Sequence, residues 1–284
     1  MTGRDKSVLN GITSVLLPFL AYYVAHDLAS VFLAFLTGWS LAGFGAGYRH
    51  FMEAHAGAVD GVRNGLALCI GAWAVWPMAR KELWPEGERQ GICGIWLGGH
   101  GEKPKRKVKR LECFLFLLCA VSLAVGMNIL LAFLGVTEMS KNYTDISARQ
   151  YSVGFGLGLI LYGAVSPLAE ELVFRGLIYR RMKRCLKTRQ AVLLCGLLFG
   201  AYHGNLVQGI YGCVLGVAIT AAYEWYGGMW APVLFHGAAN VGVFAVSYDA
   251  ERFRKMATPY ACALWLAIAV GAAGVLLFWS RKKG

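Results

Sequence analysis

Apolar runs close to bilayer-spanning length recur along this chain from residue 8 to residue 279, and they leave few folds open. The 284 residues are 57% hydrophobic and 15% charged, where a soluble domain carries about a quarter charged residues. A helix needs about 20 apolar residues to cross a bilayer. Inside the bilayer only helices or closed barrels satisfy their backbone, and continuous rather than alternating runs select helices. The expected class is all-α: a polytopic membrane helix bundle with about eight or nine transmembrane helices. The first run is followed at once by another and lacks a small-residue cleavage site, so no cleavable signal peptide is expected.

The runs fall at 8–23, 28–47, 64–79, 113–136, 151–179, 191–205, 206–225, 229–247 and 259–279. His26 and Asp27 separate the first two, and residues 48–63 read as a solvated loop. Residues 80–110 form the longest polar segment, Gly-rich and basic, with an isolated His100 and with Trp84 and Trp96 at the expected membrane interface. Residues 137–150 read as an exterior loop and 249–255 as a charged loop. Gly204 and Asn205 make the turn between two closely spaced runs. Residues 1–110 form an N-terminal membrane segment with a basic cytoplasmic loop, and residues 111–284 a core. The eight cysteines include no Cys-x-x-Cys pair, and small buried hydrophobes describe them better than a disulfide framework or metal site.

The net charge is +12, from 28 Lys and Arg against 16 Asp and Glu. Topology explains it better than nucleic acid does, because cytoplasmic loops collect Lys and Arg. One block runs from Lys103 to Arg110, a second from Arg180 to Arg189, and a third from Arg281 to Lys283. Spans separate these blocks in even numbers, so all three can be cytoplasmic. Three runs before residue 103 would place the N-terminus outside, against the sign of Arg4 and Lys6. Parity is restored if one of those runs does not cross by itself.

The run at 151–179 holds Glu170, Glu171 and Arg175. Charged groups at membrane depth are costly and mark function by default. Glu171 and Arg175 stand at i,i+4 with the acid first, the better order for a helical ion pair. Glu170 points about 100° away and is left over. Ser166-Pro167, just before it, predicts a bend. Two later runs carry Phe199-Gly200-Ala201-Tyr202-His203 and His236-Gly237-Ala238-Ala239-Asn240. At about 1.5 Å per residue, Glu170 lies roughly 15 Å from Arg180, His203 roughly 21 Å from Arg189, and His236 and Asn240 about 12 and 18 Å from Gly228. In a hydrocarbon core about 30 Å thick these depths overlap. The expectation is one pocket near mid-membrane, open to the cytoplasm. A carboxylate and a histidine there can activate water. A second histidine and an amide can donate to an oxyanion. Together they suit hydrolysis of an amide bond.

Glu-Glu-x-x-x-Arg, then Phe-x-x-x-His, then His-x-x-x-Asn, on successive membrane helices, resembles the CPBP family of type II CAAX prenyl endopeptidases and bacteriocin-processing or self-immunity (Abi) proteins. The resemblance covers residues 151–247. It implies that Glu170 and His203 activate the attacking water, that His236 and Asn240 stabilise the oxyanion, and that Glu171 and Arg175 position the site. It also implies either a metal-free glutamate mechanism, the favoured form, or zinc held by Glu170, His203 and His236. The substrate would be a membrane-anchored or lipidated peptide or protein, with membrane lipids as the other partner and no nucleic acid. A bacterial plasma membrane is the expected location. Two rivals are a proton-coupled transporter and a catalytically silent immunity or scaffold protein. The first should show repeated halves, which the sequence lacks. The second should have lost motif residues, and all are present.

Overall fold

The computed structural model describes residues 3–83 and 108–281, all helix and short connections without a strand among them. The helices are α1 (Gly3–Gly43), α2 (Ala46–Ala54), α3 (Ala56–Leu83), α4 (Arg110–Phe133), α5 (Lys141–Ser152), α6 (Phe155–Cys185), α7 (Thr188–Tyr202), α8 (Leu206–Tyr226), α9 (Trp230–Ser247), α10 (Ala250–Met256) and α11 (Pro259–Arg281). Six of them, α1, α4, α6, α8, α9 and α11, are long and apolar enough to cross a membrane. The 28-residue α3 and the 15-residue α7 pack among them. The chain is an integral membrane protein. Trp84, Trp96, His100 and most of the basic loop, with Lys282 and Lys283, lie outside the described residues.

Three segments read as loops are helical. Residues 48–63 span α2 and the start of α3, the 137–150 segment holds α5, and the 249–255 segment holds α10. Each is short or polar, so apolar periodicity could not reveal it. The first two runs are also one element. His26 and Asp27 do not break α1; the His26 ring pairs with the neighbouring Asp27 carboxylate at 2.9 Å, and the helix continues for 41 residues. A polar pair ends a hydrophobic window without ending a helix. After this merger two long helices, α1 and α3, precede the basic loop, an even number as the parity argument asks.

Side-chain contacts fix which helix ends lie together. Glu82, at the end of α3, pairs with Arg181 and Arg184 on α6, and Arg181 donates to the Ser14 carbonyl of α1. Lys183 pairs with Glu224 near the end of α8, and Tyr226 reaches Glu112 at the start of α4. These residues define the basic end of the bundle. At the other end Asn128 of α4 donates to Ser247 of α9, Tyr248 reaches the Val153 carbonyl, and Tyr162 donates to the Gln150 carbonyl of α5. The last helix, α11, runs antiparallel to α4, with Cys262 beside Gly126 and Cys119 beside Ala269, so its C-terminus returns to the basic end.

The α6 helix is irregular where the sequence predicts a bend. Residues Leu161–Val165 and Phe174–Tyr179 wind as π-helix, and Pro167 follows the first of these turns. There the Ser166 amide bonds to the Leu161 carbonyl, which takes from the Tyr162 carbonyl the donor it would have in an α-helix. Pro167 has no N–H for the Gly163 carbonyl. Helix α9 packs against this opened stretch. A Cβ on Gly237 would come within 2.4 Å of the Gly163 oxygen, so only glycine allows the approach. Gly237→Ala should cost about 1–3 kcal/mol through forced separation of α6 and α9, read as a lower thermal midpoint in detergent. An unchanged midpoint would show that the contact tolerates a methyl group.

Candidate functional site

A cavity of about 580 Å³ runs through the bundle, and Glu170, His203, His236 and Asn240 all line it. Glu171 and Arg175 stand behind its wall and are fully buried. Three sequence motifs thus meet in one place, carried by α6, by the turn after α7 and by α9.

The two adjacent carboxylates have separate surroundings, as their roughly 100° offset on the helix requires. Glu171 Oε1 accepts from Arg175 Nη1 at 2.7 Å and from His236 Nδ1 at 2.7 Å. Arg175 continues to the Gly216 carbonyl at 2.8 Å and the Thr220 hydroxyl at 3.2 Å, both on α8. Its guanidinium lies 4.7 Å from the centre of the Phe199 ring. A buried charge needs such partners on every side. The ion pair expected from the spacing is present, and it does more than neutralise itself: it ties α6 to α8 and fixes the His236 ring.

Glu170 is 6% exposed. Its Oε1 accepts from the Ser166 hydroxyl one helical turn earlier. Its Oε2 has no hydrogen-bond partner among the described residues. His236 Nε2 lies 4.0 Å from that oxygen. That gap is too long for a direct hydrogen bond.

His203 sits where α7 ends, in a turn closed by Gly204 at φ +66° and by Asn205, which caps α8 by accepting from the Gln208 amide. The left-handed backbone at Gly204 is the reason for glycine there. The Asn205 amide also donates to the His203 carbonyl at 3.2 Å. His203 Nδ1 lies 2.9 Å from the Phe199 carbonyl, which can only accept, so Nδ1 carries the proton and Nε2 is an acceptor. Glu170 and His203 make no direct hydrogen bond to each other. The two groups share the cavity, and helix ends rather than helix faces determine where the ring points.

Asn240 donates from Nδ2 to the Tyr162 carbonyl at 3.1 Å, the carbonyl released by the first π-turn. One amide hydrogen is therefore engaged with the backbone and the other is left for a second acceptor. Phe199 packs edge-on against both His203 and His236, with ring centres 5.1 and 5.5 Å apart. Glu170, His203 and His236 do not gather as a zinc set: among the described residues no three His, Cys, Asp or Glu side chains are grouped to hold a metal ion.

Sequence reasoning missed several contributors. Ser166 was read only as part of a bend, although its i,i+4 spacing to Glu170 is the signal for the bond it makes. Thr220 is a lone hydroxyl in an apolar run, and nothing local marks it as an arginine ligand. Tyr22 of α1 and Tyr202 bring their hydroxyls within 3.2 Å beside the cavity, a contact across 180 residues of sequence.

The cavity's direction also differs from expectation. Its lining extends from Glu170 toward Asp60, Arg63, Asn64, Tyr143 and Arg149. These lie at the end opposite Glu82 and the Arg180–Cys185 segment. Counting depth from the basic end puts the polar groups at one level, and they do share one cavity, but it could not say on which side the helices part.

No curated protein and no solved structure matches the chain. Residues 152–242 match the family model described as type II CAAX prenyl endopeptidase Rce1-like. This stretch contains all three motifs and every residue discussed above that binds Glu170, Glu171 or Arg175. Over these residues the chain is similar to the CPBP/CAAX protease family.

Proposed function

We propose that the protein is an intramembrane endopeptidase that hydrolyses a peptide bond of a membrane-associated or lipidated substrate, using water activated by Glu170 and His203. The observation that carries this reading is the unpartnered Glu170 Oε2, a buried acceptor facing a cavity with two imidazoles on its walls. Such an oxygen and the Nε2 acceptor of His203 supply sites for the two hydrogens of a water. As the water oxygen forms its bond to the scissile carbonyl carbon, one proton passes to this pair. The carbonyl oxygen becomes an oxyanion.

His236 and Asn240 stand on the α9 wall to receive that oxyanion. The second Asn240 hydrogen is one donor. His236 supplies another from Nε2 when its ring carries both protons, because Nδ1 is committed to Glu171. Glu170, Glu171 and Arg175 together carry one net negative charge when ionised. One added proton on His236 balances them, which suits a site within the bilayer. Collapse of the tetrahedral intermediate breaks the C–N bond, and the proton held by Glu170 and His203 passes to the departing amine. Every step uses the chain's own residues, so the metal-free form is the one proposed, in the plasma membrane of a bacterial cell. Lipids and the anchored peptide are its partners, and nucleic acid has no role.

The test is cleavage of lipidated and unlipidated peptides by detergent-purified protein, with metal content measured on the same sample. Cleavage that persists under chelation and is lost in His203→Ala is expected. Stoichiometric zinc with chelator-sensitive activity would replace this mechanism with the zinc alternative, and undiminished cleavage by His203→Ala would remove His203 from it.

A further inference from the structure

The mouth of the cavity and the distribution of basic residues lie at opposite ends of the bundle. At one end are Arg80 and Lys81, Lys109 and Arg110, the block from Arg180 to Arg189, and Arg281. Among the described residues the other end holds Arg49, Arg63, Lys141, Arg149, Arg252, Arg254 and Lys255, and acids accompany them closely. Arg63 pairs with Asp60 at 2.8 Å, and Lys255 with Glu251 at 2.8 Å. Lys and Arg in short loops near span ends set orientation, so the first end is cytoplasmic and the second is not.

The lining follows the same axis. None of Glu82, Arg180, Arg181, Arg184 or Glu224 contributes to the cavity, and the ion pairs of Glu82 with Arg181 and Arg184 bind that end of the bundle together. At the far end Asn64, Tyr143, Arg149 and Gln150 form a polar rim. The lining also carries Leu68, Leu131, Leu161, Leu215 and Val243. A hydrated polypeptide can meet such a rim, and an apolar side chain such walls.

We infer that the cavity draws its substrate from the extracytoplasmic side: a translocated, membrane-proximal peptide segment rather than a cytoplasmic lipidated tail. This rests on the peptidase reading above for the word substrate, but the direction of access does not depend on activity.

Asn64→Cys at the rim and Val243→Cys on the cavity wall, with Tyr211→Cys as a second wall probe, test it. Each variant is treated with a membrane-impermeant thiol reagent in intact cells and in inside-out vesicles, and labelled sites are identified by mass. Native Cys185, exposed at the basic end, is the internal reference. Labelling at 64 and at either wall position in intact cells is expected, with Cys185 reacting only in inside-out vesicles. The reverse pattern overturns the inference, as does labelling at 64 without either wall position. Failure of every peptide to be cleaved, with the expected labelling, counts against the peptidase reading and leaves the direction of access standing.

Discussion

Replacing Glu170 by Gln abolishes peptide cleavage and leaves the fold in place. The substitution keeps the size of the side chain and keeps an oxygen that can accept from Ser166, so the local packing has little reason to change. What disappears is the basic oxygen that faces the cavity. A positioned acid or base contributes about 10²–10⁴-fold to rate, so a loss of at least about 10²-fold is expected. The thermal midpoint should stay close to that of the native protein, because Glu170 Oε2 makes no hydrogen bond among the described residues. The measurement is single-turnover cleavage alongside thermal unfolding. A Glu170→Gln protein with native activity would refute the proposed chemistry.

Arg175→Met has its main effect on stability. Arg175 and Glu171 are fully buried, and the guanidinium holds the carboxylate together with a carbonyl and a hydroxyl of α8. Removing one partner of a buried pair strands the other charge, at a cost of about 3–5 kcal/mol. The free Glu171 would also lose its hold on α8, and His236 would be left against an unbalanced carboxylate. Activity should therefore fall with stability, unlike in Glu170→Gln. The double variant Glu171→Gln/Arg175→Met removes both charges and should recover part of the lost stability, since replacing a whole buried pair is far less costly than breaking it. Thermal unfolding of the three proteins in one detergent decides this. If the double variant is no more stable than Arg175→Met, the cost lies in packing rather than in the stranded charge.

These two variants separate the adjacent acids that open the first motif. One is a fully buried charge behind the cavity wall, held on Oε1 by Arg175 and His236 while its Oε2, like that of Glu170, makes no hydrogen bond among the described residues. The other lines the cavity and is held only by the Ser166 hydroxyl. Helix periodicity alone distinguished them, because i,i+4 spacing reaches Arg175 from Glu171 and not from Glu170.

The sequence by itself determined the helical membrane class, the identity of the polar residues, their meeting at one level of the bundle and the Glu171–Arg175 pair. Each of these depends on local quantities: run length, residue spacing and rise per residue. It also held the Ser166–Glu170 spacing, though that bond was not anticipated. Tertiary structure decided what depends on where helices meet. It joined two apolar runs into α1 across His26 and Asp27, bound His236 to Glu171, and gave Asn240 to the Tyr162 carbonyl freed by a π-turn. It set His203 at a helix end instead of against Glu170. It also opened the cavity away from the basic end, because the side on which helices separate is a property of their crossings, and the hydropathy of a single helix carries no record of it.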